Sequence, residues 1–201
     1  NLSVVAAKAE DVYFMAGYLT TLIANDWRSA GLVTGDTPLG NSANAFFNGG
    51  KYVCGKCNPS FPPLVDLPQV TALPKSATSA EWLTAANEML AMGSKAFFMD
   101  PEAATSEVVA QISLSQIILI GTTPPRAGAE ALWGATITRY DSAALKQVLT
   151  TAFEGEGGQQ IVVPVTLTNV NSTLVSPARQ DLFNQTAELL ATGKLAPLSI
   201  P

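Results

Sequence analysis

Apolar positions along this chain alternate between two rhythms, a helical period and short unbroken runs, and the two take turns from one end to the other. Leu2 to Val5 reads as a short strand leading into an amphipathic helix over about Glu10 to Asn25. Ala30 to Thr34 is an apolar run of strand length, closed by the turn Gly35-Asp36-Thr37-Pro38, and a helix over about Asn41 to Val53 follows. Gly17 and Gly49-Gly50 fall inside these helices, where a residue without a Cβ marks close packing. Asn58 to Pro74 carries Pro59, Pro62, Pro63, Pro68 and Pro74, so it is expected to be loop, with at most an edge strand around Leu64 to Leu67.

Further on, Thr78-x-x-Glu81 is a capping box that opens a helix to Met92, which Gly93 stops. A strand over Ala96 to Met99, a helix over about Ala103 to Ile112 and a strand over Gln116 to Ile120 come next. Ala135 to Thr138 is another strand, and Asp141 caps a helix to about Phe153. Ile161 to Val170 is β-rich but broken by Pro164, and Ser176-Pro177 opens a last helix that ends at Gly193. Strand–helix units of this spacing predict an α/β fold in one domain over 1–201, built on a doubly wound, mostly parallel sheet. Ligands of such sheets sit beyond the carboxyl ends of the strands.

Composition narrows the function. Of 201 residues 47% are hydrophobic and 13% charged, a globular balance. The net charge is −5 and the 11 basic residues are scattered, which leaves no cationic surface for nucleic acid. The chain has no His, which removes Ser-His-Asp and Cys-His catalysis and His-ligated zinc. No apolar run is long enough to span a membrane. No catalytic residue, metal site or cofactor is therefore assigned. The chain starts at Asn1 rather than Met and reads as a mature or trimmed product, from which a signal peptide or lipid-bearing Cys could have been removed.

Cys54-Gly-Lys-Cys57 is the loudest short motif. A redox CxxC wants its first Cys at a helix N-terminus, whereas this pair follows a predicted helix and runs into Asn58-Pro59. The favoured reading is a disulfide pinning a Pro-rich loop in an oxidising compartment; free thiols, and redox or metal work, are the alternatives. Gly35 to Ser42 has the two glycines and final Ser of a phosphate-binding loop, but Asn41 replaces its Lys. Asp36 repels an anion there and Pro38 removes a donor, so a strand-to-helix turn or a ligand-contact loop fits better.

Three predicted strand ends carry small polar or acidic groups: Asp36-Thr37, Asp100-Pro-Glu102 and Thr122-Thr-Pro-Pro125. Such groups hydrogen-bond a hydroxylated ligand, although acidic residues before a helix are also routine caps. Asp100 and Glu102 can equally be read as an acid/base pair. Arg139 is a lone cation just beyond a strand. Trp27, Trp82 and Trp133, with Phe46, Phe47, Phe97 and Phe98, are expected in the core.

Several stretches in order resemble the basic membrane lipoprotein family, type I periplasmic-binding-protein relatives that include purine-nucleoside receptors. EDVYFMAGYLTTLIA, from Glu10 to Ala24, is similar to the family's Glu-x-x-Tyr-Leu-Ala-Gly helix. AGLVTGDTPLGNSANAFFNGG, from Ala30 to Gly50, resembles its Gly-Phe-Val-Gly-Gly strand and the Phe-x-x-Gly helix after it. IILIGT, from Ile117 to Thr122, sits where the family has Val-Ile-Gly-Val-Asp, and Trp133 to Leu149 where it has a Thr-Ser-x-x-Lys strand and helix. Thr122 takes the place of the Asp that contacts ribose in nucleoside receptors, and Thr136 and Arg139 stand where the family has Ser and Lys.

The resemblance implies an extracytoplasmic solute-binding protein, periplasmic or on a lipid anchor at the cell surface. It would serve the membrane permease of an ABC-type transporter, with a nucleoside or other polar solute as ligand. Asp36, Thr37, Asp100, Thr122 and Arg139 are the expected ligand contacts. It also implies two lobes. Residues 6–125 and 156–201 correspond to the second lobe, and 130–155 resembles a return segment of the first, most of which would lie upstream. Truncation, cleavage or repacking of the fragment, for instance as a homodimer, would each account for that. The alternatives are a doubly wound enzyme using Asp100 or Glu102, and a ligand-sensing domain without transport.

Overall fold

The computed structural model describes residues 4–5, 8–35, 41–139, 142–155 and 160–199. Strands β1 (Val4–Val5), β2 (Ser29–Thr34), β3 (Gln69–Leu73), β4 (Ala96–Met99), β5 (Ile118–Gly121), β6 (Trp133–Thr138), β7 (Gln160–Ile161) and β8 (Thr166–Thr168) alternate with helices. The helices are α1 (Ala9–Ile23), α2 (Ser42–Cys54), α3 (Ser79–Ala91), α4 (Ser106–Leu114), α5 (Ser142–Phe153) and α6 (Pro177–Ala191). Six strands form one sheet in the order β3-β2-β4-β5-β6-β8. Every neighbouring pair is parallel except β6 with β8. This is the expected doubly wound α/β sheet.

Its strands are nearly continuous apolar runs because both faces are covered. Phe98 and Ile120 point into a core with Phe14, Leu19 and Phe46 of α1 and α2 and Phe183 of α6. Their neighbours Phe97, Met99 and Leu119 point the other way, onto Trp82 of α3 and Ile112 of α4. Two of the predicted close-packing glycines explain how α1 reaches α2. A Cβ on Gly17 would stand 1.9 Å from the Phe46 carbonyl oxygen, and one on Gly49 would stand 1.8 Å from that of Phe14.

The capping box forms as read: the Thr78 amide donates to the Glu81 carboxylate at 2.7 Å, and the Glu81 amide to the Thr78 hydroxyl at 3.3 Å. Elsewhere the boundaries shift. Helix α4 starts late because Asp100 holds the Ala103 and Ala104 amides on its carbonyl, leaving Thr105 to cap. The edge strand lies at Gln69–Leu73, not Leu64–Leu67. Pro68 has no N–H for a ladder, so pairing with β2 begins only after it.

Upstream of that strand the Pro-rich loop is held from two sides. Cys54 and Cys57 form a disulfide at the end of α2. Arg28, buried before β2, donates to the carbonyls of Phe61, Pro63 and Met92 and pairs with Asp26 at 3.3 Å. Asp26 in turn accepts the Ser60 amide at 2.8 Å. The loop therefore has fixed backbone partners while Phe61 and Leu64 stay exposed.

β1 and β7 pair with each other outside the main sheet, in parallel, and α5 contacts β1. β6, which the resemblance placed in a first-lobe return segment, is paired between β5 and β8 of the main sheet. Asp141, the predicted cap of α5, lies outside the described residues. Among the described residues no helix is long and apolar enough to cross a membrane.

Candidate functional site

The strand order reverses between β2 and β4: the chain leaves β2 for β3 on one side, then returns to β4 on the other. At such a switch point the loops diverge and open a crevice at the carboxyl edge. Here described side chains bridge the two strand ends. Asp100, just past β4, is only 3% exposed. Its Oδ2 accepts the Thr34 amide at 2.6 Å, the Thr34 hydroxyl at 2.9 Å and the Tyr13 hydroxyl at 2.9 Å. Thr34 is the last residue of β2, and its carbonyl accepts the Ser42 hydroxyl at 2.8 Å, tying down the start of α2.

Burial pushes the Asp100 carboxyl above the usual carboxylate range, against the three hydrogen bonds that pull it down. Burial together with the neighbouring Asp100 charge pushes the Tyr13 phenol up to about 12. The positive charge of Arg139 works the other way on Tyr13, which places Arg139 within electrostatic reach of the same edge.

An open cleft of about 320 Å³ lies beside this knot, lined by Pro101, Thr122, Thr123, Ile137, Thr138 and Arg139. Its walls are the residues following β4 and β5 and the end of β6. Strand β5 stops at Gly121, where a Cβ would come within 2.7 Å of the Trp133 indole, and Pro124-Pro125 prevent its extension. Thr122 and Thr123 are turned out of the sheet as a result. The wall is fixed through Thr136, which is buried. Its hydroxyl accepts from the Trp133 indole N–H at 3.0 Å and from the Asn169 amide group at 3.3 Å, and donates to the Thr123 carbonyl at 3.4 Å. Thr138 is engaged with Thr166 of β8 at 2.7 Å. Among the described residues, no hydrogen bond or ion pair engages the Thr122 hydroxyl, the Thr123 hydroxyl or the exposed Arg139 guanidinium.

Of the residues expected from sequence, Thr122 and Arg139 come together in the cleft. Asp100 lies one residue from the lining Pro101, with its Oδ2 turned into the Tyr13–Thr34 knot. Asp36 and Thr37 lie outside the described residues. Glu102 is half-buried and close enough for its charge to act on Asp100. Sequence reasoning missed Tyr13 and Thr34, and it placed Thr123 at a polar strand end without making it a ligand contact. The first two left a signal: a phenol on the fully buried stripe of α1, and a hydroxyl ending an otherwise apolar strand. Among the described residues no cluster of His, Cys, Asp and Glu can hold a metal ion.

A solute-binding protein of an ABC transporter system from Conexibacter woesei superposes on the whole chain, with a TM-score of 0.68. The fold is periplasmic-binding-protein-like. That protein is 16% identical, and this chain covers 66% of its length. A transcriptional activator of the comK gene from Bacillus halodurans matches 97% of the chain with a TM-score of 0.69 and 12% identity, and 67% of its own length is covered. A solute-binding protein of an ABC transporter system from Aeropyrum pernix matches 96% of the chain with a TM-score of 0.57 and 15% identity, with 59% of its length covered. This chain thus spans about two thirds or less of these structures. No family model and no curated protein sequence matches it.

Proposed function

We propose that this chain is the ligand-carrying lobe of an extracytoplasmic solute-binding protein. It captures a small polar solute for the permease of an ABC-type uptake system and catalyses no reaction. The observation that carries this reading is the open cleft at the carboxyl edge of the sheet, with two unengaged threonine hydroxyls and Arg139 in its wall, on a fold shared with two such proteins. The Cys54–Cys57 disulfide agrees with an oxidising compartment. The stretches that resemble the basic membrane lipoprotein family put nucleosides among the solutes to test and add a lipid anchor to the proposal.

In this reading α5, β1 and β7, which stand apart from the six-stranded sheet, belong to the other lobe, and the division falls after Thr138. Phe153 of α5 is 90% exposed and Leu149 is half exposed. They mark where the rest of that lobe, or a second copy of the chain, would pack.

Two observations bear on the rivals. The acid/base reading needs a carboxylate that faces the cleft, and Asp100 Oδ2 is already committed to three donors. The sensing reading gains from the likeness to a transcriptional activator, since the same cleft can report a solute without transporting it.

The test is native mass spectrometry of the purified chain with a thermal-shift screen of nucleosides, sugars and amino acids. A co-purified or added solute that raises the melting temperature, lost in Thr122→Val, supports the reading. A chain that stays empty and unshifted by every class at millimolar concentration contradicts it.

A further inference from the structure

The solute-binding reading leaves the chemical class of the solute open, and the charge arrangement of the cleft narrows it. Its described lining contains one ionic group, Arg139, and no carboxylate. The nearest buried acid, Asp100, spends its Oδ2 on Tyr13 and Thr34. Glu102, two residues beyond it, is not among the lining residues. Thr138 is held by β8, so among the described lining residues the side-chain groups left to meet a ligand are the hydroxyls of Thr122 and Thr123 and the guanidinium of Arg139.

These groups are not equivalent. A guanidinium offers only donors, five N–H groups in a planar fork, and that fork matches the paired oxygens of a carboxylate or phosphate. A neutral sugar or nucleoside that covered Arg139 would remove water from the cation without giving it a counter-charge, a desolvation cost that selects against such solutes. Two threonine hydroxyls on a wall fixed by Thr136 can supply further donors to the same oxyanion or accept from its other end.

On these grounds, and resting on the solute-binding reading above, we infer that the cleft takes an anionic solute, whose carboxylate or phosphate group is bound by Arg139 and steadied by Thr122 and Thr123. Hydrogen bonds to an ionised partner are the strong ones, so removal of the fork costs about ten- to a hundred-fold in affinity.

Isothermal titration calorimetry of the 201-residue chain tests this at low and moderate salt. The probes are succinate, glutamate and inorganic phosphate, set against uridine and glucose. The expected result is binding of one or more of the anions, weakened by added salt, and no binding of the neutral pair. Arg139→Gln should lose about ten- to a hundred-fold, and Arg139→Lys, which keeps the charge but not the fork, should lose less. Phosphate binding without carboxylate binding, or the reverse, supports the inference and identifies the oxyanion. Uridine or glucose binding that Arg139→Gln leaves within about two-fold overturns it while the solute-binding reading stands. No binding by any probe overturns the inference, and the wider solute screen above then decides the solute-binding reading. Because Arg139 is exposed, both variants are expected to keep the parent melting temperature, which separates a binding defect from a folding one.

Discussion

Tyr13 and Asp100 lie 87 residues apart in the chain, and the phenol of the first donates to the carboxyl of the second at 2.9 Å. That bond, with the two from Thr34, joins the start of α1 to the ends of β2 and β4 at the switch point of the sheet. It sets protein groups between the strand ends where an α/β sheet usually holds its ligand, and beside it, between the ends of β4, β5 and β6, lies an open cleft.

The first consequence is spectroscopic. With its pKa raised from 10.0 to about 12, Tyr13 keeps its proton in the folded chain where the unfolded chain has lost it. Its stabilising contribution is therefore complete below pH 10 and declines as the pH rises toward about 12. An ultraviolet absorbance titration should show a late-ionising tyrosine that is missing in Tyr13→Phe. If the two curves superimpose, the phenol is not held as described.

Asp100→Ala leaves the buried Thr34 amide without its acceptor and the Tyr13 hydroxyl with only the Thr34 hydroxyl at 3.4 Å, so it should destabilise the chain by about 3 kcal/mol in urea unfolding. Asp100→Asn keeps one acceptor oxygen and should cost less. The raised carboxyl pKa carries a sign as well. The wild-type chain should lose stability as the pH rises through the folded-state pKa, above the ordinary carboxylate range, and the Asn variant should not.

Gly17→Ala places a methyl group 1.9 Å from the Phe46 carbonyl oxygen. Helices α1 and α2 must separate to accept it, at a cost of about 3 kcal/mol. The same change at Gly193, past the end of α6, meets no atom within 4 Å and carries only the strain of a positive φ. Comparing the two melting temperatures isolates helix packing from backbone strain; equal losses would argue against close helix contact.

Much of this architecture was legible in the sequence because it follows from local rules. The capping box at Thr78, the Pro-led α6 and the continuous runs at Ala30 and Ala96 each report their own element. The helix glycines, too, announced their contact. What stayed hidden depends on distant partners. Arg28 looked like one of several scattered cations, yet it is buried against three carbonyls of two different loops. Asp100 looked like a ligand contact at a strand end, and nothing nearby in sequence signalled that Tyr13 would reach its Oδ2. Thr122 and Arg139 were readable as strand-end polar groups, but their shared cleft exists only because β6 joins the main sheet.

Closing a loop as short as that of Cys54–Cys57 removes little chain entropy, so the disulfide should contribute only about 2 kcal/mol. Intact-mass analysis should find the chain two hydrogens light. Dithiothreitol should lower the melting temperature modestly and raise proteolysis within residues 55–67, while the six-stranded sheet survives. A full-mass chain whose stability ignores reductant would contradict the pairing.

The most direct test of the account is a nuclear magnetic resonance titration of amide-labelled chain with pooled small solutes, anionic and neutral. A solute-binding lobe predicts saturable shifts at Thr122, Thr123, Ile137, Thr138 and Arg139, fading in Arg139→Gln if the solute is an anion. Shifts absent from that edge, or confined to the Pro-rich loop around Phe61 and Leu64, would contradict a binding site at the carboxyl ends of the strands.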